Sequence, residues 1–225
     1  MNTLLIRLAA PLQSWGIESK FDTRRTAREP SKSGVIGLVA ASLGIKRYED
    51  DKICELSKLR LGVRVDKEGV LVKDYQTVDG GKSKYVTYRH YLSDAVFVVG
   101  LESEDIELLA KIEEALAHPA YPLFLGRRSC PPTGRLCMGI RNGSLHEVLA
   151  DLEKVPLQYE YSTYNKPQSI RIVMDSDDVH GGSIVRDVPV SFSPEHRKFT
   201  FRRVCESLIS CDIATTDHDP MEELG

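Results

Sequence analysis

Apolar and polar residues alternate in part over Asn2–Ala9, a spacing that predicts a strand. The next apolar cluster has a different period. Val35, Ile36, Leu38, Val39, Ala40, Ala41 and Leu43 leave almost no polar face, which predicts a helix buried on most sides. Pro30 separates this helix from the preceding loop, Ser31 or Ser33 can cap it, and Gly44 stands where a C′ glycine belongs. Tyr48–Lys58 is a short acidic amphipathic segment. Leu59–Asp66 alternates with period two and predicts a half-buried strand, Lys67-Glu68-Gly69 a turn, and Val70–Tyr75 a returning strand. Gln76–Val86 is polar, carries Gly80-Gly81 and reads as a flexible projection. Thr87–Tyr91 leads into a buried strand over Ala95–Leu101. Apolar residues at 106, 108, 109, 112, 115 and 116 predict an amphipathic helix over Glu104–Ala117, ended by His118-Pro119. Tyr121–Leu125 is read as a short strand and Gly126–Gly134 as a loop.

The order strand, helix, strand-rich middle, strand, helix, strand predicts an α+β fold on the ferredoxin-like (RRM-like) split βαβ plan, in a domain of residues 1–150. Leu145–Leu152 is compatible with a short helix. Beyond Pro156 the periodicity changes: Ser169–Met174, Val185–Phe192 and Lys198–Cys205 read as strands, so residues 151–225 are expected to form a small β-rich C-terminal domain. Its tail, Asp212–Gly225, is acidic and aperiodic and is expected to fray.

Composition narrows the function classes. Charged residues make up 28% of the 225-residue chain and hydrophobic residues 41%, values ordinary for a soluble globular protein. No apolar run is long enough to span a membrane. Arg7 interrupts the first apolar run, which makes it a poor signal peptide. The five cysteines, Cys54, Cys130, Cys137, Cys205 and Cys211, include no C-x-x-C pair, and the six histidines form no ligating motif. The expectation is a cytoplasmic protein with reduced thiols, no metal and no other cofactor. The net charge of −3 is unevenly spread. Residues 1–48 hold eight Lys/Arg against three Asp/Glu, and residues 119–142 hold four Arg and no acid. The acids gather in 101–118 and 204–225, with six in each segment. Two basic patches on an acidic chain point to a local polyanion site.

Three stretches carry the candidate chemistry. The first is the loop before the buried helix, with Lys20, Arg24, Arg25, Arg28 and Lys32 and the hydroxyl of Ser33. The free N–H groups and positive dipole end of the helix favour an anion there, and phosphate is the natural candidate. Trp15, the single Trp, is either a loop anchor or a base-stacking platform. The second is GRRSCPPTG, where Gly126 permits close backbone approach, Arg127 and Arg128 offer planar forks for phosphate, and Ser129 adds a hydroxyl. Its alternative reading is a pair of arginines bonded to surface acids. The third is the projection, in which Lys82, Lys84, Arg89 and His90 interleave with Tyr85, Tyr88 and Tyr91. Cations follow a phosphate backbone and aromatic rings stack unpaired bases, although strand aromatics also pack in cores. In a ferredoxin-like sheet the first two stretches are expected to face one groove.

Taken in order, LAAPLQSWG, PSKSGVIGLVAASLGI, DYQTV, YRHYLSDAVF and YPLFLGRRSCPPTG resemble the CasD family of type I-E CRISPR Cascade subunits, within the repeat-associated mysterious protein superfamily. The resemblance covers about Leu4 to Gly134. It implies a ferredoxin-like domain with a projecting thumb, here about Gln76–Tyr91, and a small C-terminal β domain. It also implies a non-catalytic RNA-binding role: gripping the 5′ handle of CRISPR RNA and joining the backbone and large subunits in antiviral defence, with target DNA an indirect partner. The handle-facing elements carry over to the SWG loop, the SKSG helix start and the GRRSCPPTG loop. The rival is a metal-independent endoribonuclease that processes precursor RNA, as in type I-C relatives. Its base and cation would come from Tyr88-Arg89-His90.

Overall fold

The computed structural model describes residues 1–16, 22–79, 81, 84–160, 167–178 and 181–211. In chain order the elements are β1 (Asn2–Ala9), β2 (Leu12–Gln13), β3 (Thr23–Arg24), α1 (Lys32–Ser42), α2 (Asp50–Ser57), β4 (Arg60–Lys67), β5 (Val70–Asp79) and β6 (Lys84–Ser93). They continue with β7 (Val96–Ser103), α3 (Ile106–Ala117), β8 (Cys137–Asn142), α4 (Leu145–Ala150), β9 (Ser169–Asp175), β10 (Ser183–Ser191) and β11 (Lys198–Ser210).

Seven strands form one antiparallel sheet in the order β10-β11-β9-β4-β7-β1-β8. Its two faces follow from the period of a strand. Leu4, Ile6 and Leu8 of β1 point into a core shared with α1 and α3, whereas Leu5 points to the opposite side, where Leu145, Val148 and Leu149 of α4 cover it. β7 is buried on both faces from Val96 to Glu102, as expected of a strand covered on both sides by helices. α1 is capped by Ser31, whose hydroxyl accepts from the Gly34 N–H, and closes on Gly44 at a φ of 75°. Leu109, Ile112 and Leu116 are the apolar stripe of α3, and they join the same core as β1.

The second sheet stands apart. β5 and β6 form a long hairpin, and the short strands β2 and β3 pair with the other edge of β6, β2 antiparallel and β3 parallel. Three expectations are corrected here. Val70–Tyr75 does not return along the preceding strand, because both edges of β4 are taken, by β7 and β9. It lengthens into β5 instead and pairs with β6. Much of the projection at Gln76–Val86 is therefore regular ladder, from Gln76↔Thr87 to Asp79↔Lys84. Tyr121–Leu125 is not a strand: it carries Pro122, and the Leu125 N–H is turned inward to the Cys130 carbonyl (2.7 Å). The strand that completes the helical half is β8. Its pattern was obscured by Gly139, at a φ of 95°, and by a register shift between Leu5 and Ile6 of β1. The acidic tail from Asp212 lies outside the described residues.

Candidate nucleic-acid interface

The start of α1, read as an anion site, already holds an anion of the chain itself. The Lys32 N–H donates to Asp187 Oδ2 of β10 (2.7 Å). Lys32 is buried, and its Nζ is 2.8 Å from Asp175 of β9. Arg202 of β11 joins both carboxylates, with Nε 2.6 Å from Asp187 Oδ1 and Nη1 2.6 Å from Asp175 Oδ1. Two cations and two carboxylates thus neutralise one another. Burial pushes the Asp175 carboxyl up, but the charges of Lys32 and Arg202 outweigh it and hold the group below its ordinary value. Burial likewise works against the charged form of Arg202, and Asp187 and Asp175 reverse that effect and raise its pKa. Lys32 is therefore corrected from a phosphate contact to a staple between α1 and the C-terminal strands. Ser33 is half-buried, with its hydroxyl 3.4 Å from that of Ser31.

Trp15 is a loop anchor. It is 1% exposed, its indole N–H donates to Gln13 Oε1 (3.2 Å), and its backbone is tied to Thr26 and Ala27. A Cβ at Gly34 would lie 2.8 Å from the indole, so the ring lies directly against α1. The platform reading of Trp15 is thereby corrected: no face of the ring is open to a base.

The two basic loops do meet. The Ser14 N–H donates to the Leu125 carbonyl (3.1 Å). Gly126 lies so close that a Cβ there would come within 1.7 Å of the Ser14 carbonyl oxygen, and its φ is 85°. This contact carries Arg127 to the base of the hairpin. Arg127 Nη2 donates to the Arg24 carbonyl (3.0 Å), and its guanidinium lies 4.5 Å from the centroid of the Tyr91 ring. Arg24 of β3 is in register with Arg89 of β6. Arg24, Arg89 and Arg127 are thus gathered from three separate stretches. Arg89 Nε and Arg127 Nη1 are buried nitrogens without a hydrogen-bond partner among the described residues, and so is His90 Nδ1. Beside Arg127, burial raises the Cys130 thiol above its ordinary pKa despite Ser129 and Arg127, so it stays neutral and does not offset the arginine.

β6 alternates its side chains across two grooves. One, of about 450 Å³, is lined by Asp22, Arg24, Val78, Tyr85, Thr87 and Arg89. The other, of about 440 Å³, is lined by Thr23, Arg25, Thr26, Leu71, Lys73, Tyr88 and His90. Odd-numbered residues of β6 fall in the first and even-numbered ones in the second, so the grooves lie on opposite faces of the small sheet. Lys73, which the sequence did not single out, sits with its Nζ 4.1 Å from the Tyr88 ring centroid. It lies in Val70–Tyr75, which the sequence pattern marked only as a strand.

The remaining described candidates, Arg28, Lys84, Arg128 and Ser129, line neither groove. Arg28, Arg128 and Ser129 are exposed, and the Ser129 hydroxyl lies 3.9 Å from Cys130 Sγ. Lys84 stands near the hairpin tip, 3.9 Å from Asp79. It is five residues from Arg89, about 17 Å along an extended strand. Lys82 and Lys20 lie outside the described residues. Among the described residues, no group of three or more His, Cys, Asp or Glu is placed to hold a metal ion, and no helix is long and apolar enough to cross a membrane.

The model of a family described as CRISPR-associated protein (Cas_Cas5) matches residues 3–205. The chain is 36% identical over 178 residues to the CRISPR system Cascade subunit CasD of Escherichia coli (strain K12), covering 70% of this chain and 76% of that protein. A solved structure described as a CRISPR RNA-guided surveillance complex contains a similar chain, with a TM-score of 0.76 and 30% identity over 99% of this chain and 97% of that one. A crystal structure of a Cas protein matches with a TM-score of 0.73 and 39% identity, over 92% of this chain and 95% of that one.

Proposed function

Because the chain belongs to the Cas5 family of CRISPR-associated proteins, we propose that it is the CasD-type subunit of a cytoplasmic Cascade complex, and that it holds the 5′ handle of CRISPR RNA without cutting it. The observation that carries this reading is the convergence of Arg24, Arg89 and Arg127, two of them with buried nitrogens that no group among the described residues satisfies. Buried polar groups are ordinarily hydrogen-bonded, and a guanidinium satisfies its remaining donors best on phosphate. Arg28 and Arg128, both exposed, stand on the loops that carry Arg24 and Arg127, and Arg25 lines the groove on the other face of β6. In this reading β4-β7-β1-β8 with α1 and α3 is a ferredoxin-like unit within residues 1–150, and the β5–β6 hairpin is the thumb. The C-terminal strands β9–β11 are a β-rich module stapled to the start of α1. Exposed apolar residues on the hairpin, Val70, Val72 and Val86 among them, offer the backbone and large subunits a surface.

The test is a binding measurement. Arg127→Ala with Arg128→Ala should weaken binding of repeat-derived RNA several-fold to about a hundredfold, at about 1 kcal/mol or more per charge-assisted bond. The salt slope should flatten by about one unit for each phosphate that is no longer neutralised. Unchanged affinity and slope reject the assignment. Strand alternation also bears on the nuclease alternative, because it puts Arg89 on one face of β6 and Tyr88 and His90 on the other. The purified protein should bind repeat RNA and leave it intact, and His90→Ala should leave maturation unchanged. Specific cleavage that depends on His90 would favour the enzyme.

A further inference from the structure

Arg127 rises from a loop, one residue after Gly126, and is only half-buried. A side chain of that length has many rotamers to lose before it can hold a ligand. Two groups restrict it. The Arg24 carbonyl accepts from Nη2 at 3.0 Å, and the guanidinium carbon lies 4.5 Å from the centroid of the Tyr91 ring. The ring has a firm seat. Tyr91 is 5% exposed and belongs to the core shared by β1, β7, α1 and α3. Alternation along β6 puts it on the face of Arg89, the face that lines the first groove.

The choice of an aromatic ring has a physical consequence. A carboxylate at this position would fix the guanidinium more strongly, but it would occupy N–H donors and cancel the charge. A ring attracts a cation through its quadrupole, takes up no N–H donor and adds no net charge. Nη1 is left without a partner among the described residues. We propose that Tyr91 is a positioning residue: its ring orients the Arg127 guanidinium for the RNA phosphate without neutralising it. The inference rests on the handle reading. Tyr91 is buried and acts through Arg127, so handle affinity requires the electron-rich ring and not the phenol hydroxyl.

The experiment uses the full chain and a fluorescent repeat-derived RNA, with affinity measured across a salt series and stability by thermal unfolding. Tyr91→Leu should weaken binding about two- to thirtyfold, the range for a lost cation–ring contact. It should also flatten the salt slope by about one unit as the Arg127 contact loosens. Tyr91→Phe keeps the ring and should hold affinity within about twofold of the wild type. In an Arg127→Ala background, Tyr91→Leu should add no further weakening. Trifluorophenylalanine in place of Tyr91 keeps the aromatic bulk but withdraws electrons from the ring face. It should weaken binding at an unchanged melting temperature, which keeps the proposal testable should Tyr91→Leu fail to fold. Additive weakening in the Arg127→Ala background would overturn the proposal and leave Tyr91 a plain core residue. Full affinity with the electron-poor ring, or loss of affinity in Tyr91→Phe, would do the same. Failure of the handle reading registers separately: Arg127→Ala itself would then leave affinity and slope unchanged, and the proposal would fall with that reading.

Discussion

The cations at the start of α1 and those at the base of the thumb are the same residue types in opposite electrical settings. Lys32 is buried and Arg202 largely so, each within 2.8 Å of a carboxylate, and the set of four charges is neutral. Arg64 repeats the pattern, fully buried with both Asp66 oxygens and three backbone carbonyls as partners. Arg24, Arg89 and Arg127 are also gathered together by the fold, yet Arg127 meets a carbonyl and an aromatic ring rather than an acid, and two nitrogens of the cluster find no partner among the described residues. A cation supplied with its own carboxylates is part of the scaffold, and one denied them is available to a ligand. Proximity to an anion-favouring helix end did not decide which was which. The positions of Asp175 and Asp187, more than 140 residues away in sequence, did.

The comparison breaks most visibly if the staple is cut. Arg202→Ala leaves the buried Asp187 and the largely buried Asp175 facing Lys32 alone and should destabilise the protein by about 3 kcal/mol, read from urea or thermal unfolding. RNA affinity of the fraction that remains folded should change little. A stable variant that no longer binds RNA would reverse the roles assigned to the two regions.

Acid acts on the same region more gently. Asp175 titrates below its unfolded value of about 3.9. Its contribution to stability is present in full above that pH and is lost as the pH falls through the folded value. The stability difference between the wild type and Asp175→Asn should therefore be constant near neutrality and shrink below about pH 4. A difference that grows on acidification would contradict the assigned direction. The smallest effect is expected at the hairpin tip, where Lys84 and Asp79 are both exposed. Lys84→Ala should change stability by no more than about 0.5 kcal/mol. A larger loss would show that the tip contributes to the fold as the staple does.

The sequence by itself determined the elements whose periodicity is local. α1, α3, β1, β4 and β7 stand where the hydrophobic pattern puts them, because burial of an apolar stripe or face is set by neighbours a few residues away. It also marked the two basic loops and the family motifs within them. What it left undecided was every question of partnership. Only the tertiary structure turned Val70–Tyr75 away from β4, moved the last strand of the helical half to Cys137–Asn142, and placed Trp15 against Gly34. It alone separated Lys32, enclosed by Asp175 and Asp187, from Arg89 and Arg127, which pair with no carboxylate among the described residues. A side chain's charge is written in the sequence. Whether that charge is neutralised inside the protein depends on what the fold brings within about 3 Å of it, and that is fixed by strand pairings between residues far apart in the chain.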